Sequence, residues 1–148
     1  IIATVAIFII STALIALDVG TKRIGIAISD TSQNFAFPRG SIERKNCINS
    51  IISLANTEDV EMILVGMPYL PSGEIGTQAK DIEQFTQELS ENINIQIKTV
   101  DERMSTKEAI KKSEELPHVS KKIRHNKGAL DSYAAAVILQ NYLDHIKS

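Results

Sequence analysis

Two short apolar runs, residues 14–19 and 23–30, stand on either side of Gly20-Thr21-Lys22, and this arrangement constrains the fold more than anything else in the sequence. Glycine permits the tight reversal of a hairpin, so the chain is expected to open with an antiparallel strand pair. A third extended stretch, 35–44, contains Pro38 and Gly40 and suits an edge strand or a bulge. Residues 46–56 place Ile48, Ile51, Ile52 and Ala55 at helical spacing, and 61–66 is an apolar strand stopped by Gly66-Met67-Pro68. After a loop marked by Pro71, Ser72, Gly73 and Gly76, residues 77–91 form a helix with Ala79, Ile82, Phe85 and Leu89 on its buried side. Residues 93–100 alternate as a fifth strand, 106–116 form a helix stopped by Pro117, and 129–146 form the final helix. Three strands followed by helix, strand, helix, strand and two helices imply an α/β fold. One five-stranded mixed sheet, antiparallel in its first three strands, carries helices on both faces.

With 148 residues, 43% of them hydrophobic, the chain can bury a core without disulfides, so one domain over 14–148 is expected. Residues 1–17 carry no charge. That run is short for a membrane span, lacks a basic leading region and ends in what reads as a core strand. Residues 1–13 are therefore expected to be an apolar extension, dispensable to about Thr12, with a peripheral membrane anchor as the alternative and no stable membrane partner. Cys47 is the only cysteine, which argues against a disulfide framework and fits a reducing cytoplasm. The net charge of -2 is unlike a uniformly basic nucleic-acid binder. Its distribution is uneven: residues 103–127 hold eight Lys/Arg against three acids, so the remainder is strongly acidic. Such a run is either a solvated face or a phosphate track.

Three acids stand where a soluble domain does not normally put them. Asp18 closes an apolar strand, Glu102 follows the fifth strand beside Asp101 and Arg103, and Asp131 lies near the start of the last helix before Ala134-Ala135-Ala136. A buried carboxylate needs a cation or several hydrogen-bond donors. If strands one and five are neighbours, Asp18, Glu102 and Asp131 can meet at one end of the sheet. Such a cluster suits Mg²⁺ or Mn²⁺, hard cations that can activate water for phosphodiester cleavage. Each acid also has an ordinary reading: Asp18 as the start of a turn, Glu102 paired with Arg103, Asp131 as a helix cap.

The run from Ala16 to Ala27, ALDVGTKRIGIA, resembles the opening motif of the YqgF/RuvX family of pre-16S rRNA nucleases and Holliday-junction resolvases. Three further blocks follow in that family's order: Val65-Gly66-Met67-Pro68 with Gly73 and Gly76, then residues 101–106, then Asp131-Ser132-Tyr133-Ala134-Ala135 leading into Ile138-Leu139-Gln140. Met104-Ser105 stands where the family commonly has Leu-Thr, and the apolar lead lies outside the pattern. The resemblance implies an RNase H-like fold with Asp18, Glu102 and Asp131 as metal-binding catalytic acids, Glu102 rather than Asp101 taking the middle position. It further implies a metal-dependent nuclease whose partner is pre-rRNA in ribosomal precursor particles or, as the alternative, branched DNA, acting as a monomer or homodimer.

Thr21, Lys22 and Arg103 are then candidates to contact a scissile phosphate, with Lys121, Lys122, Arg124 and Lys127 continuing the track. Their ordinary roles are turn chemistry and solvated charge. With three Tyr, four Phe and no Trp, none of them within the basic run, base stacking is not a visible strategy. Asp18-Val19-Gly20-Thr21 also resembles the first phosphate loop of actin-like ATPases and sugar kinases, but those need two such domains to enclose ATP. A catalytically silent nucleic-acid-binding module is a further reading, against which the three acids argue.

Overall fold

The computed structural model describes residues 12–102 and 127–147. Strand β1 (Ala13–Val19) is followed by β2 (Arg23–Ser29), β3 (Ala36–Glu43), helix α1 (Cys47–Thr57), β4 (Val60–Met67), α2 (Thr77–Asn92), β5 (Gln96–Asp101) and α3 (Lys127–Ile146). The expected helix over 106–116 lies outside the described residues. The strands form one sheet in the order β3-β2-β1-β4-β5. β1, β2 and β3 pair antiparallel, while β4 and β5 join β1 in parallel, as the succession of elements implied.

β1 is apolar on both faces because it lies at the centre of the sheet with a layer on each side. Ile15, Leu17 and Val19 pack with Ile51, Ile63, Ile82 and Leu89 under α1 and α2. Leu14 and Ala16 pack with Ala27, Leu64, Ala135, Leu139 and Leu143 under α3. Ala residues on both surfaces let α3 lie close to the sheet, where it packs on β2, β3 and β1. Ala13, the first residue of β1, is buried. Among the described residues no helix is long and apolar enough to cross a membrane.

β3 is an edge strand with an irregular register between Gly25 and Ala27 of its partner, and Gly40 adopts φ +82 there. That matches the expectation from Pro38 and Gly40. The strand limits differ from the sequence reading by one to three residues, and two of the differences bear on the site. β4 does not stop at Gly66 but runs through it to Met67, and β5 begins at Gln96, with Ile93 and Ile95 packed on the core ahead of it. Alternation alone marked residues that face the core, whether or not a neighbouring strand pairs with them.

Candidate active site

Asp18 is held in β1 opposite Gly25 of β2, on the α3 side of the sheet that Leu14 and Ala16 also face. It is a strand residue and does not begin the turn. On its other flank, β4 presents Gly66 immediately after Val65, the register partner of Leu17. β5 lies beyond β4, so strands one and five are not neighbours, and the adjacency on which the convergence of the acids was expected to depend is absent.

The acids approach one another by a different route. Glu102 leaves β5 with its N–H donating to the Met67 carbonyl at 3.1 Å, which turns its side chain across β4. Any Cβ at Gly66 would fall on Glu102 Oε2 and within 2.9 Å of Ile138 Cδ1. From the opposite side α3 lays Asp131 over β2, where a Cβ at Gly25 would collide with the Asp131 carbonyl group and stand 2.8 Å from its Cβ. Two glycines, one on each side of Asp18, thus clear the floor on which Glu102 and Asp131 approach it. Asp131 lies beyond the opening residues of α3, which begins at Lys127, and so is not its cap.

Electrostatics follow from this crowding. Burial raises the Asp18 carboxyl to about 6, aided by the charge of Asp131 and opposed by a hydrogen bond with Glu102. Burial likewise raises Glu102 to about 8, with the Asp18 charge, the hydrogen bond to Asp18 and the Asp101 charge adding to it. The bond favours ionised Asp18 and protonated Glu102, so Glu102 is the donor. Glu102 Oε2 is nevertheless buried with no hydrogen-bond partner among the described residues. Asp131 is drawn toward Arg23, whose Nε stands 3.5 Å from Asp131 Oδ2 and makes no hydrogen bond. Among the described residues no three His, Cys, Asp or Glu side chains stand together at the spacing of metal ligands. The donor set still fits a hard divalent cation: all its atoms are carboxylate oxygens, one of them buried and unpartnered.

Two residues at this site were missed from the sequence. Arg23 lies on the same face of β2 as Gly25, and its signal was only its place two residues before that glycine. Ser132 is buried, donates from Oγ to the Ile26 carbonyl at 3.1 Å and accepts the Gly40 N–H at 2.8 Å. It ties the first turns of α3 to β2 and to the β3 irregularity, which fixes Asp131 over Gly25. Replacing Ser132 by Ala should lower stability by about 1–2 kcal/mol, because a part-buried N–H loses its acceptor. Thermal unfolding checks this, and an unshifted midpoint would remove the tie.

Of the other residues selected from the sequence, Thr21 and Lys22 are exposed on the β1–β2 turn, and Lys127 opens α3. Arg103, Lys121, Lys122 and Arg124 lie outside the described residues.

A mixed five-stranded sheet in the order β3-β2-β1-β4-β5, antiparallel in its first three strands and with helices on both faces, is an RNase H-like fold. The structure is similar to Thermus thermophilus RuvC in complex with a Holliday junction substrate, with a TM-score of 0.57 at 11% identity, covering 93% of this chain and 96% of that one. Residues 12–145 match the family described as "RuvX: Holliday junction resolvase", and the chain belongs to that family. Relatives named "Putative pre-16S rRNA nuclease" include those of Crocosphaera subtropica, 36% identical over 88% of this chain and 91% of that protein. The relative from Thermoanaerobacter pseudethanolicus is 38% identical over 91% of this chain and 98% of that protein. That from Chlorobaculum tepidum is 37% identical over 88% and 92%.

Proposed function

We propose that the chain is a metal-dependent nuclease that hydrolyses phosphodiester bonds, with Asp18, Glu102 and Asp131 as its metal-holding catalytic acids. The observation that carries this reading is the approach of Glu102 and Asp131 to Asp18 over two glycines, in a member of this family. Mg²⁺ or Mn²⁺, when bound, supplies charge neutralisation of the phosphate and an activated water. Of the hydrogen-bonded pair, Asp18 ionises first, and Glu102 follows when its shared proton leaves. Arg23, beside Asp131, supplies positive charge where a phosphate oxygen would approach, and Lys22 and Thr21 flank it on the turn. Arg103, Lys121, Lys122, Arg124 and Lys127 are assigned to the same role on their sequence alone, as further cations for the phosphate backbone.

The relatives' name supports pre-16S rRNA as substrate, and the reading proposed here adds cutting at its 5′ end within ribosomal precursor particles in the cytoplasm. The second reading, cleavage of branched DNA, is favoured by the family description and by the fold shared with RuvC. Incubation with labelled pre-16S rRNA fragments and with a four-way DNA junction, each in Mg²⁺, Mn²⁺ or EDTA, separates the two. Cleavage of neither in either metal would overturn the hydrolase assignment. A resolvase also needs two sites facing opposite strands, so a monomeric mass in solution counts against the DNA reading.

The shared proton predicts how the metal binds. Displacing it from Glu102 is easier as pH rises, so the affinity for Mn²⁺ should climb by up to about tenfold per pH unit between roughly pH 6 and 8 and level off above. Calorimetric titration with Mn²⁺ across this range checks it, and a flat affinity would exclude Glu102 as a ligand that must lose a proton.

A further inference from the structure

Beside Arg23 lies an open groove of about 610 Å³, lined by Thr21, Lys22, Arg23, Glu43, Arg44 and Lys45. Its frame is held rigidly. The Gly20 N–H donates to the Arg23 carbonyl at 2.8 Å, the Arg44 N–H to the Lys22 carbonyl at 2.8 Å, and Arg44 Nη1 to the Gly20 carbonyl at 2.9 Å. Arg44 is itself fixed by two bonds to Asp81, at 2.9 and 3.1 Å, and lies over the Phe85 ring at 5.2 Å. Its charge is therefore matched within the fold, and its part is to brace the turn that presents Lys22.

Lys22 and Lys45 differ from it. Both are exposed, and neither ammonium group has a hydrogen bond or ion pair with any described residue. Arg23 joins the groove to the acids, since it lines the groove while its Nε faces Asp131. Among the described residues no aromatic side chain lines the groove, so none of them reads a base there by stacking. What it offers, with Glu43 as the one acid of its lining, is two unpaired lysines beside Arg23, which leads to the carboxylate cluster.

We propose that this groove binds the sugar–phosphate backbone of one nucleic-acid strand, with Lys22 and Lys45 contacting phosphates on one side of the cleaved bond and Arg23 contacting the phosphate nearest Asp18. The proposal rests on the nuclease reading and adds to it the path by which a strand reaches the acids. Contact is to charge, so binding through the groove is independent of sequence.

The test is fluorescence anisotropy with a labelled single-stranded RNA oligonucleotide in EDTA, repeated over a range of salt concentrations, for the unaltered chain and for Lys22→Gln/Lys45→Gln. Both substitutions are on exposed positions and leave the core untouched. The slope of log affinity against log salt should become shallower by roughly 0.7 for each lysine removed, and affinity at low salt should fall about tenfold. Lys147→Gln, at the opposite end of the sheet, should keep the original slope. An unchanged slope in the double variant, with the unaltered chain binding and cleaving, overturns the groove and leaves the nuclease reading standing. A shallower slope in a chain that binds but never cleaves supports the groove and defeats the hydrolase assignment. Failure of the unaltered chain to bind any nucleic acid defeats both.

Discussion

Replacing Asp18 by Asn is expected to abolish metal-dependent cleavage while leaving the protein at least as stable at pH 8 as the unaltered chain. Asp18 and Glu102 hold their protons more tightly folded than unfolded, at about 6 and about 8. Well below pH 4 both states hold these protons, and the pair carries little penalty. As pH rises from there toward 8, the unfolded chain ionises freely while the folded one must place charge among other carboxylates. Stability in the absence of metal therefore falls across that window. The Asp18→Asn change takes one charge out of the cluster, which should return on the order of 1–3 kcal/mol at pH 8 and almost nothing at pH 4. The loss of cleavage should exceed the roughly 10–100-fold that accompanies the loss of a metal's outer partners. Urea unfolding at the two pH values, beside cleavage in Mg²⁺, gives both readouts. Normal cleavage by the Asp18→Asn variant, or a marked loss of stability at pH 8, would show that Asp18 is a structural residue.

Adding a single methyl group at Gly66 or at Gly25 should disable the site in two distinguishable ways. At Gly66 the nearest obstacle is the Glu102 carboxylate, a side chain that can swing aside. Gly66→Ala should thus keep its fold and lose metal affinity and cleavage together. At Gly25 the obstacle is the backbone carbonyl of Asp131, which moves only if α3 moves. Gly25→Ala should lose about 1–3 kcal/mol or more, since α3 must lift from β2 to make room. Denaturant unfolding and Mn²⁺ titration separate the two, and a Gly66→Ala protein that binds Mn²⁺ as before would show that Glu102 does not depend on that clearance.

These glycines also show where the sequence stopped being legible. Gly66 was read as the end of a strand because glycine beside proline usually punctuates one, yet the strand runs through it. A glycine that makes room for a partner remote in sequence carries the same letter as one that ends an element. The hairpin, the edge strand and the helices α1 and α2 were legible because each is marked by local turn residues or by apolar spacing on one element. Sheet order was not. Parallel strands joined through helices carry no local mark of which strand lies beside which, so β4 came between β1 and β5 without warning. The three acids approach one another all the same, because Glu102 reaches across β4 from beyond it. Arg23 and Ser132 escaped notice because an arginine and a serine acquire meaning here only through a carboxylate and a carbonyl remote from them in the sequence.

The position of α3 has a consequence for when activity can first appear during synthesis. Asp18 emerges from the ribosome early, Glu102 much later, and Asp131 only with α3, whose Ala135, Leu139 and Leu143 close the layer over Leu14 and Ala16. Until that helix docks, the nascent chain lacks the third carboxylate and leaves an apolar sheet face bare, a surface for chaperones to cover. On the role proposed for Asp131, a protein that cuts RNA would stay inert beside the ribosome that makes it until α3 has emerged and settled on the sheet.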